Sequence, residues 1–164
     1  MLPDNLKDHA LAGAVEAAAP AAVLSGKLDR AELTLEIAPE RIVEVCRLLR
    51  DSQQFERLSG VTAVDWTPAE PRFEVVYHLH SVARNLRVRL KCRPPGEQPE
   101  IESVTAVWHA ANWYEREVYD LFGVRFRNHP GLRRILMPDN WVGHPLRKDY
   151  PVNGYKYSYA DPET

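Results

Sequence analysis

The sequence predicts an α+β fold: a two-layer domain with a mixed or antiparallel sheet, helices on one face and an extended C-terminal tail. Three observations carry this. Leu86, Val88, Leu90 and Cys92 alternate with Arg87, Arg89, Lys91 and Arg93, a strict period of two. Phe73, Val75, Tyr77 and Leu79 alternate in the same way just upstream, so the two runs read as a hairpin. Ile42, Val45, Cys46 and Leu49 instead recur at helical spacing. Hairpin-joined strands among amphipathic helices pack as a sheet layer against a helix layer.

In chain order, residues 5–19 are Ala-rich and closed by Pro20, which predicts a helix with Leu6, Ala10, Ala14 and Ala17 on a shallow apolar stripe. Leu33, Leu35 and Ile37 alternate with Glu32, Thr34 and Glu36 as a half-buried strand. Pro39 stands where a helix begins, with Glu40 in the first turn and Arg47 and Arg50 near its end, as the macrodipole favours. Val61 to Trp66 is a strand stopped by Pro68, and Pro94, Pro95, Gly96 and Pro99 form a loop. Residues 101–107 fit either a strand or a short helical turn. The order is helix, one or two strands, helix, three strands, helix, tail.

The last helix is defined by its ends. Asn112 is placed to cap residues 113–122, with Glu115 three positions on completing a capping box and Gly123 as the left-handed stop. Tyr114, Val118, Leu121 and Phe122 form its apolar stripe, and Arg116 and Asp120 stand at i,i+4 to pair. From Asn128 onward periodicity stops and Pro, Gly and Asn become frequent. This divides the chain into a globular domain, 1–127, and a partner-binding tail, 128–164. The tail is apolar, basic and broken, so it is expected to lie on another surface rather than pack on itself.

Composition narrows the function. The chain has 164 residues, enough for one domain with a real core. Its net charge of −2 argues against bulk binding to nucleic acid or anionic membrane. Charge is uneven, however: Arg125, Arg127, Arg133, Arg134, Arg147 and Lys148 face only Asp139 in their stretch. Two distant cysteines, Cys46 and Cys92, make no C-x-x-C, so no local zinc or iron–sulfur site is expected. No apolar run approaches a membrane span. Asp4, Asp8 and Glu16 near the start give the expectation of neither a secretory signal nor a transit peptide.

Several groups invite chemistry. Glu115 and Glu117 diverge by about 200° around a helix, unlike carboxylates facing across a cleft. His78 and His80 share a strand face, but Arg87, Arg89 and Lys91 on the neighbouring strand oppose a metal there. His129-Pro130 and His144-Pro145 each hold an imidazole beside a rigid turn. Arg133 and Arg134, then Arg147 and Lys148, flank Ile135, Leu136, Met137 and Trp141, residue types that favour a protein interface. A basic–aromatic strip also fits single-stranded RNA. A free-standing hydrolase or metalloenzyme would draw on His78, His80 and Glu117.

The run E-R-E-V-Y-D-L-F-G-V at 115–124, His129-Pro130, R-R-I-L at 133–136 and G-H-P-L-R-K-D-Y-P-V at 143–152 resemble the signature of the 30-kDa subunit of respiratory complex I, the NADH–quinone oxidoreductase of bacteria. The resemblance implies a non-catalytic structural and assembly subunit in the hydrophilic arm of the proton-translocating complex. It implies docking to the 49-kDa-type subunit beside the quinone pocket. The partner-binding residues implied are Glu115, Arg116, Glu117, Asp120, Phe122, His129, Pro130, Arg133, Arg134, Trp141, His144, Pro145, Arg147, Lys148, Asp149 and Tyr150. No cofactor is expected on this chain; NADH, FMN, iron–sulfur clusters and quinone belong to other subunits. The expected location is the cytoplasmic face of the inner membrane, reached only through the complex, with no nucleic acid bound. Related chains occur in membrane-bound hydrogenases, and the end at Thr164 gives the expectation of a form unfused to the 49-kDa-type subunit.

Overall fold

The computed structural model describes residues 4–153. After a short 3-10 turn, Asp4–Leu6, come α1 (Ala10–Ala18), β1 (Val23–Asp29) and β2 (Glu32–Ile37). A second 3-10 turn at Pro39–Arg41 leads into α2 (Ile42–Gln53). Then follow β3 (Arg57–Asp65), β4 (Phe73–Ser81), β5 (Leu86–Cys92), β6 (Glu100–Glu102), α3 (Ala111–Phe122) and β7 (Arg125–Arg127). The expected α+β class is what is found, with a mixed five-stranded sheet ordered β1-β2-β5-β4-β3.

The hairpin predicted from period two is β4–β5, with Val75 opposite Cys92, Tyr77 opposite Leu90 and Leu79 opposite Val88. These residues point to one face, where they meet Leu35, Ile42, Val45, Cys46 and Leu49 in a single core. β2 joins β5 in parallel because α2, β3 and β4 intervene and carry the chain round to the far side. The opposite face carries the polar alternates, where Glu74 pairs with Lys91 at 2.7 Å and with Arg93 at 3.0 Å. His78 and His80 lie on that face, directly across from Arg89 and Arg87. Strand alternation therefore turns both histidines away from the helix layer and from Glu117. The His78, His80 and Glu117 grouping is not brought together.

Two differences have physical causes. In α1 the buried residues are Leu11, Ala12 and Val15, not the Ala10, Ala14 and Ala17 stripe. Leu and Val gain more by burial than Ala, and the break at residues 7–9 lets the helix turn to present them. β1 is an edge strand of mixed burial containing Gly26, so it carries little alternation to detect. Gly26 is required there: a Cβ would meet Leu6 Cδ1 at 2.6 Å and the Thr34 carbonyl at 2.7 Å. Residues 101–107 resolve as both alternatives, β6 followed by a turn in which Val107 and Trp108 donate to the Val104 carbonyl.

Leu90 and Tyr77 are both fully buried, but the Tyr77 hydroxyl has no hydrogen-bond partner. Leu90→Ala should lose about 2–5 kcal/mol in chemical denaturation, through lost burial and the cavity left behind. Tyr77→Phe removes an unsatisfied hydroxyl and should lose less than about 1 kcal/mol. A larger loss from Tyr77→Phe would show that the hydroxyl is bonded in solution.

Candidate functional site

α3 stops where the sequence said it would. Gly123 is left-handed at φ 77°, and its N–H donates to the Tyr119 carbonyl at 2.9 Å. It does not start where expected. Ala110 is the N-cap with no side-chain bond, and Asn112 lies within the helix. Glu115 therefore closes no capping box. Its fully buried carboxylate accepts Ser103 Oγ at 2.6 Å and the Val104 N–H at 2.7 Å, fastening the preceding turn to α3. The helix begins two residues earlier because the 104–111 turns already run into it, leaving Glu115 to serve that turn.

The expected Arg116–Asp120 pair is also replaced. Arg116 donates to the carbonyls of Arg133 (3.2 Å) and Arg134 (3.1 Å) and lies 5.2 Å over the Trp113 ring. Asp120, fully buried, pairs with Arg134 at 2.6 Å. Its Oδ2 accepts three successive amides: Ile135 at 3.0 Å, Leu136 at 2.8 Å and Met137 at 2.9 Å. Burial pushes this carboxyl upward, but the Met137 amide, Arg134 and the other two amides outweigh it and hold it below its usual range. The Asp120 carbonyl also takes Arg134 and the His144 Nδ1–H at 2.9 Å.

From here residues 129–150 run back over the domain as a strap. Arg134 Nη2 reaches the Trp141 carbonyl at 3.1 Å and the Gly143 carbonyl at 2.9 Å. The Leu146 N–H donates to the Leu121 carbonyl at 3.0 Å, and Arg147 Nε donates to that of Phe122 at 2.6 Å. The strap passes so close to Gly123 that a Cβ there would collide with the Arg147 guanidinium and the His144 ring. Arg72 and Arg147 both stack on Phe73, at 4.8 and 5.1 Å. At the far end, the Lys148 N–H donates to buried Asp65 at 2.8 Å, and Arg72 bridges Asp65 (2.7 Å) to Asp149 (2.8 Å). Arg72 holds the Asp65 carboxyl well below the usual range, aided by the Lys148 and Thr67 amides and against burial.

The expectation that this segment does not pack on its own chain is thus corrected through Tyr150. Its backbone polar groups find acceptors and donors in α3 and the β3–β4 turn, which no local pattern reveals. Residues 154–164 of the expected tail lie outside the described residues.

Of the predicted partner-binding residues, Glu115, Arg116, Asp120 and Phe122 are buried inside the chain, and the His129 side chain has no exposure. Glu117, Pro130, Arg133, Lys148 and Asp149 are exposed; Arg134, Trp141, His144, Pro145, Arg147 and Tyr150 are half-buried. Sequence reasoning missed Trp113, Val142 and Leu146, which are 61%, 64% and 53% exposed; Leu136, seen only as part of an apolar run, is 57% exposed. Trp113 carried one signal, since it stands four residues before Glu117, off the apolar stripe. Asp65 and Arg72 carried none, because a Pro-rich turn separates them. Among the described residues no group of three or more His, Cys, Asp or Glu side chains is arranged to hold a metal, and no helix is long and apolar enough to cross a membrane.

Fold and site together define a class: an α+β domain that binds its own C-terminal strap through polar groups and leaves large apolar side chains facing out. The chain belongs to the family described as "Respiratory-chain NADH dehydrogenase, 30 Kd subunit", whose model matches residues 35–156. It is 53% identical over 135 residues to the NADH-quinone oxidoreductase subunit designated C in Geobacter sulfurreducens, covering 82% of this chain and 83% of that one. It is 50% identical over 159 residues to the same-named subunit of Salinispora tropica, covering 93% and 65%. Among solved structures it resembles a trypsin-resistant fragment (1–134) of Nqo5, with TM-score 0.59 and 32% identity over 65% of this chain and 88% of that one. A chain of an archaeal membrane-bound sulfane sulfur reductase matches with TM-score 0.70 and 30% identity, over 92% and 91%.

Asp120→Ala leaves the Arg134 guanidinium and three amides without their acceptor. It should cost about 3–5 kcal/mol, as breaking a buried pair does, and speed hydrogen exchange at residues 135–137. Gly123→Ala forces a side chain into left-handed backbone at about 1–2 kcal/mol and into the strap. Trypsin should then cut after Arg134 and Arg147 faster than in the parent chain; an unchanged digestion pattern would mean the strap does not depend on this contact.

Proposed function

We propose that this chain is a non-catalytic structural and assembly subunit of the hydrophilic arm of a proton-translocating NADH:quinone oxidoreductase. It docks the 49-kDa-type subunit beside the quinone pocket, on the outer surface of α3 and the strap. Flavin, iron–sulfur and quinone chemistry belongs to the other subunits, and the chain reaches the cytoplasmic face of the membrane through them.

The observation that carries this reading is an inversion of polarity. The strap turns backbone amides and the Arg134 and Arg147 guanidinium groups inward and leaves Leu136, Val142 and Leu146 exposed, and Trp113 of α3 is exposed as well. Grouped apolar side chains on a soluble surface mark places that another protein covers. Family membership and the NADH-quinone oxidoreductase relatives support a partner among the other subunits of such a complex. The match to an archaeal respiratory membrane complex supports use of the same fold in related assemblies, but the higher identity to the NADH-quinone oxidoreductase relatives favours the NADH–quinone assignment. Single-stranded RNA is disfavoured, because Arg116, Arg134 and Arg147 are engaged within the chain.

The test is affinity capture of the tagged chain from its native membranes in mild detergent. A 49-kDa-type subunit with NADH–quinone reductase activity should co-purify. Trp113→Asp combined with Leu136→Asp should weaken capture about tenfold or more while leaving the isolated chain folded. Recovery of a lone protein, or undiminished capture by the double variant, would remove this surface from the interface.

A further inference from the structure

Glu115 is the one group of the motif whose buried charge goes uncompensated. Among the described residues its carboxylate accepts only Ser103 Oγ and the Val104 N–H, and the base beside it is His129, whose Nε2 lies 4.0 Å from Oε2. Both side chains have zero exposure. His129 Nδ1 accepts the Gly131 N–H at 3.0 Å and Nε2 lies 3.2 Å from the Asn112 carbonyl, so the ring is neutral with its proton on Nε2. That N–H is directed at Asn112, not at Glu115.

Among the described residues, the other elements supply no cation. Cys46 of α2 and Tyr77 of β4 sense Glu115, and burial keeps both uncharged by raising their pKa values. Ser103 and Thr105 present only hydroxyls. Arg116 turns away to the Arg133 and Arg134 carbonyls and disfavours a charged His129. A bare carboxylate in such surroundings is costly unless a proton neutralises it or makes its neighbour a cation.

We infer that Glu115 and His129 together form a buried proton-binding site at the root of the strap, which seats residues 103–105 and 129–131 on α3 when loaded and loosens them when empty. The ligand is a single proton exchanged with solvent. Loaded, the site is neutral, as protonated Glu115 beside neutral His129, or as an ion pair of the two. Empty, it is a buried unpaired carboxylate holding the turn.

The direction follows from geometry and burial. Desolvation pushes Glu115 up to about 7, against the opposing Ser103 and Val104 hydrogen bonds. A folded-state value above the ordinary one means stability that is full below the ordinary carboxylate value and is lost as pH rises through about 7. His129 is shifted downward, mainly by burial, so its contribution has the opposite sense and is lost on acidification below the usual imidazole range. The two slopes are separable by substituting one partner. Any coupling of this site to docking rests on the partner reading above; the site itself does not.

The experiment uses the isolated full chain, with no partner. Hydrogen exchange at Val104 and Gly131, corrected for intrinsic rates, is followed from pH 5.5 to 8.5, alongside the imidazole 15N signals of His129. In the parent chain protection should fall about tenfold or more across neutrality, since one unit of differential pKa is a factor of ten. In Glu115→Gln the loss of protection across neutrality should disappear, leaving only the opposite His129 slope on the acid side. The same profile in Glu115→Gln as in the parent overturns the site. If that variant does not fold, Ser103→Ala serves instead: losing a bond to the carboxylate should move the parent profile to higher pH, and no movement overturns the site.

Discussion

The structure depends on the way Asp120 is satisfied. A carboxylate at that depth is tolerable only with several strong donors, and α3 cannot supply them, because its own amides are bonded along the helix. They come from fourteen to seventeen residues downstream, in the Arg134 guanidinium and three consecutive amides. Three such N–H groups converging on one oxygen form a small anion-binding concavity. The acid and the strap are therefore mutually dependent: neither conformation is favourable without the other.

That constraint sets the polarity of the surface. Once the strap's amides and the Arg134 and Arg147 guanidinium groups face the domain, several of its apolar side chains are left on the outside. Leu136, Val142 and Leu146 end up exposed because the backbone beneath them is committed inward, and Trp113, stacked against Arg116, is exposed as well. A segment rich in Pro and Gly can follow this path because it has no regular ladder of its own to break. The Arg72–Asp65–Asp149 bridge fixes the far end, with Asp65 buried and Asp149 exposed, so the inner pair contributes more than the outer.

Glu115 and Asp120 show how two acids on one helix reach opposite electrostatic states. Both side chains are buried. Asp120 meets a guanidinium and a cluster of amides and stays ionised, whereas Glu115 meets one hydroxyl, one amide and a neutral imidazole, and its affinity for a proton rises to the physiological range. Their spacing in the sequence is compatible with either outcome. What separates them is which other segments arrive.

The sequence by itself determined the period-two hairpin of β4 and β5, the amphipathic α2, the Gly123 stop and the α+β class, because each follows from side-chain periodicity or local backbone sterics. The motif from Glu115 to Val152 likewise marked the family and the stretch of chain that matters. Only the tertiary structure decided that Glu115 fastens a turn instead of capping its helix, that Arg116 and Asp120 bind the strap instead of each other, and that the strap, residues 129–150, lies on its own domain. Asp65, Arg72 and Trp113 entered the site for the same reason. Local rules report neighbours along the chain, whereas a buried charge is settled by whichever donors the fold brings to it, and here those donors come from distant segments.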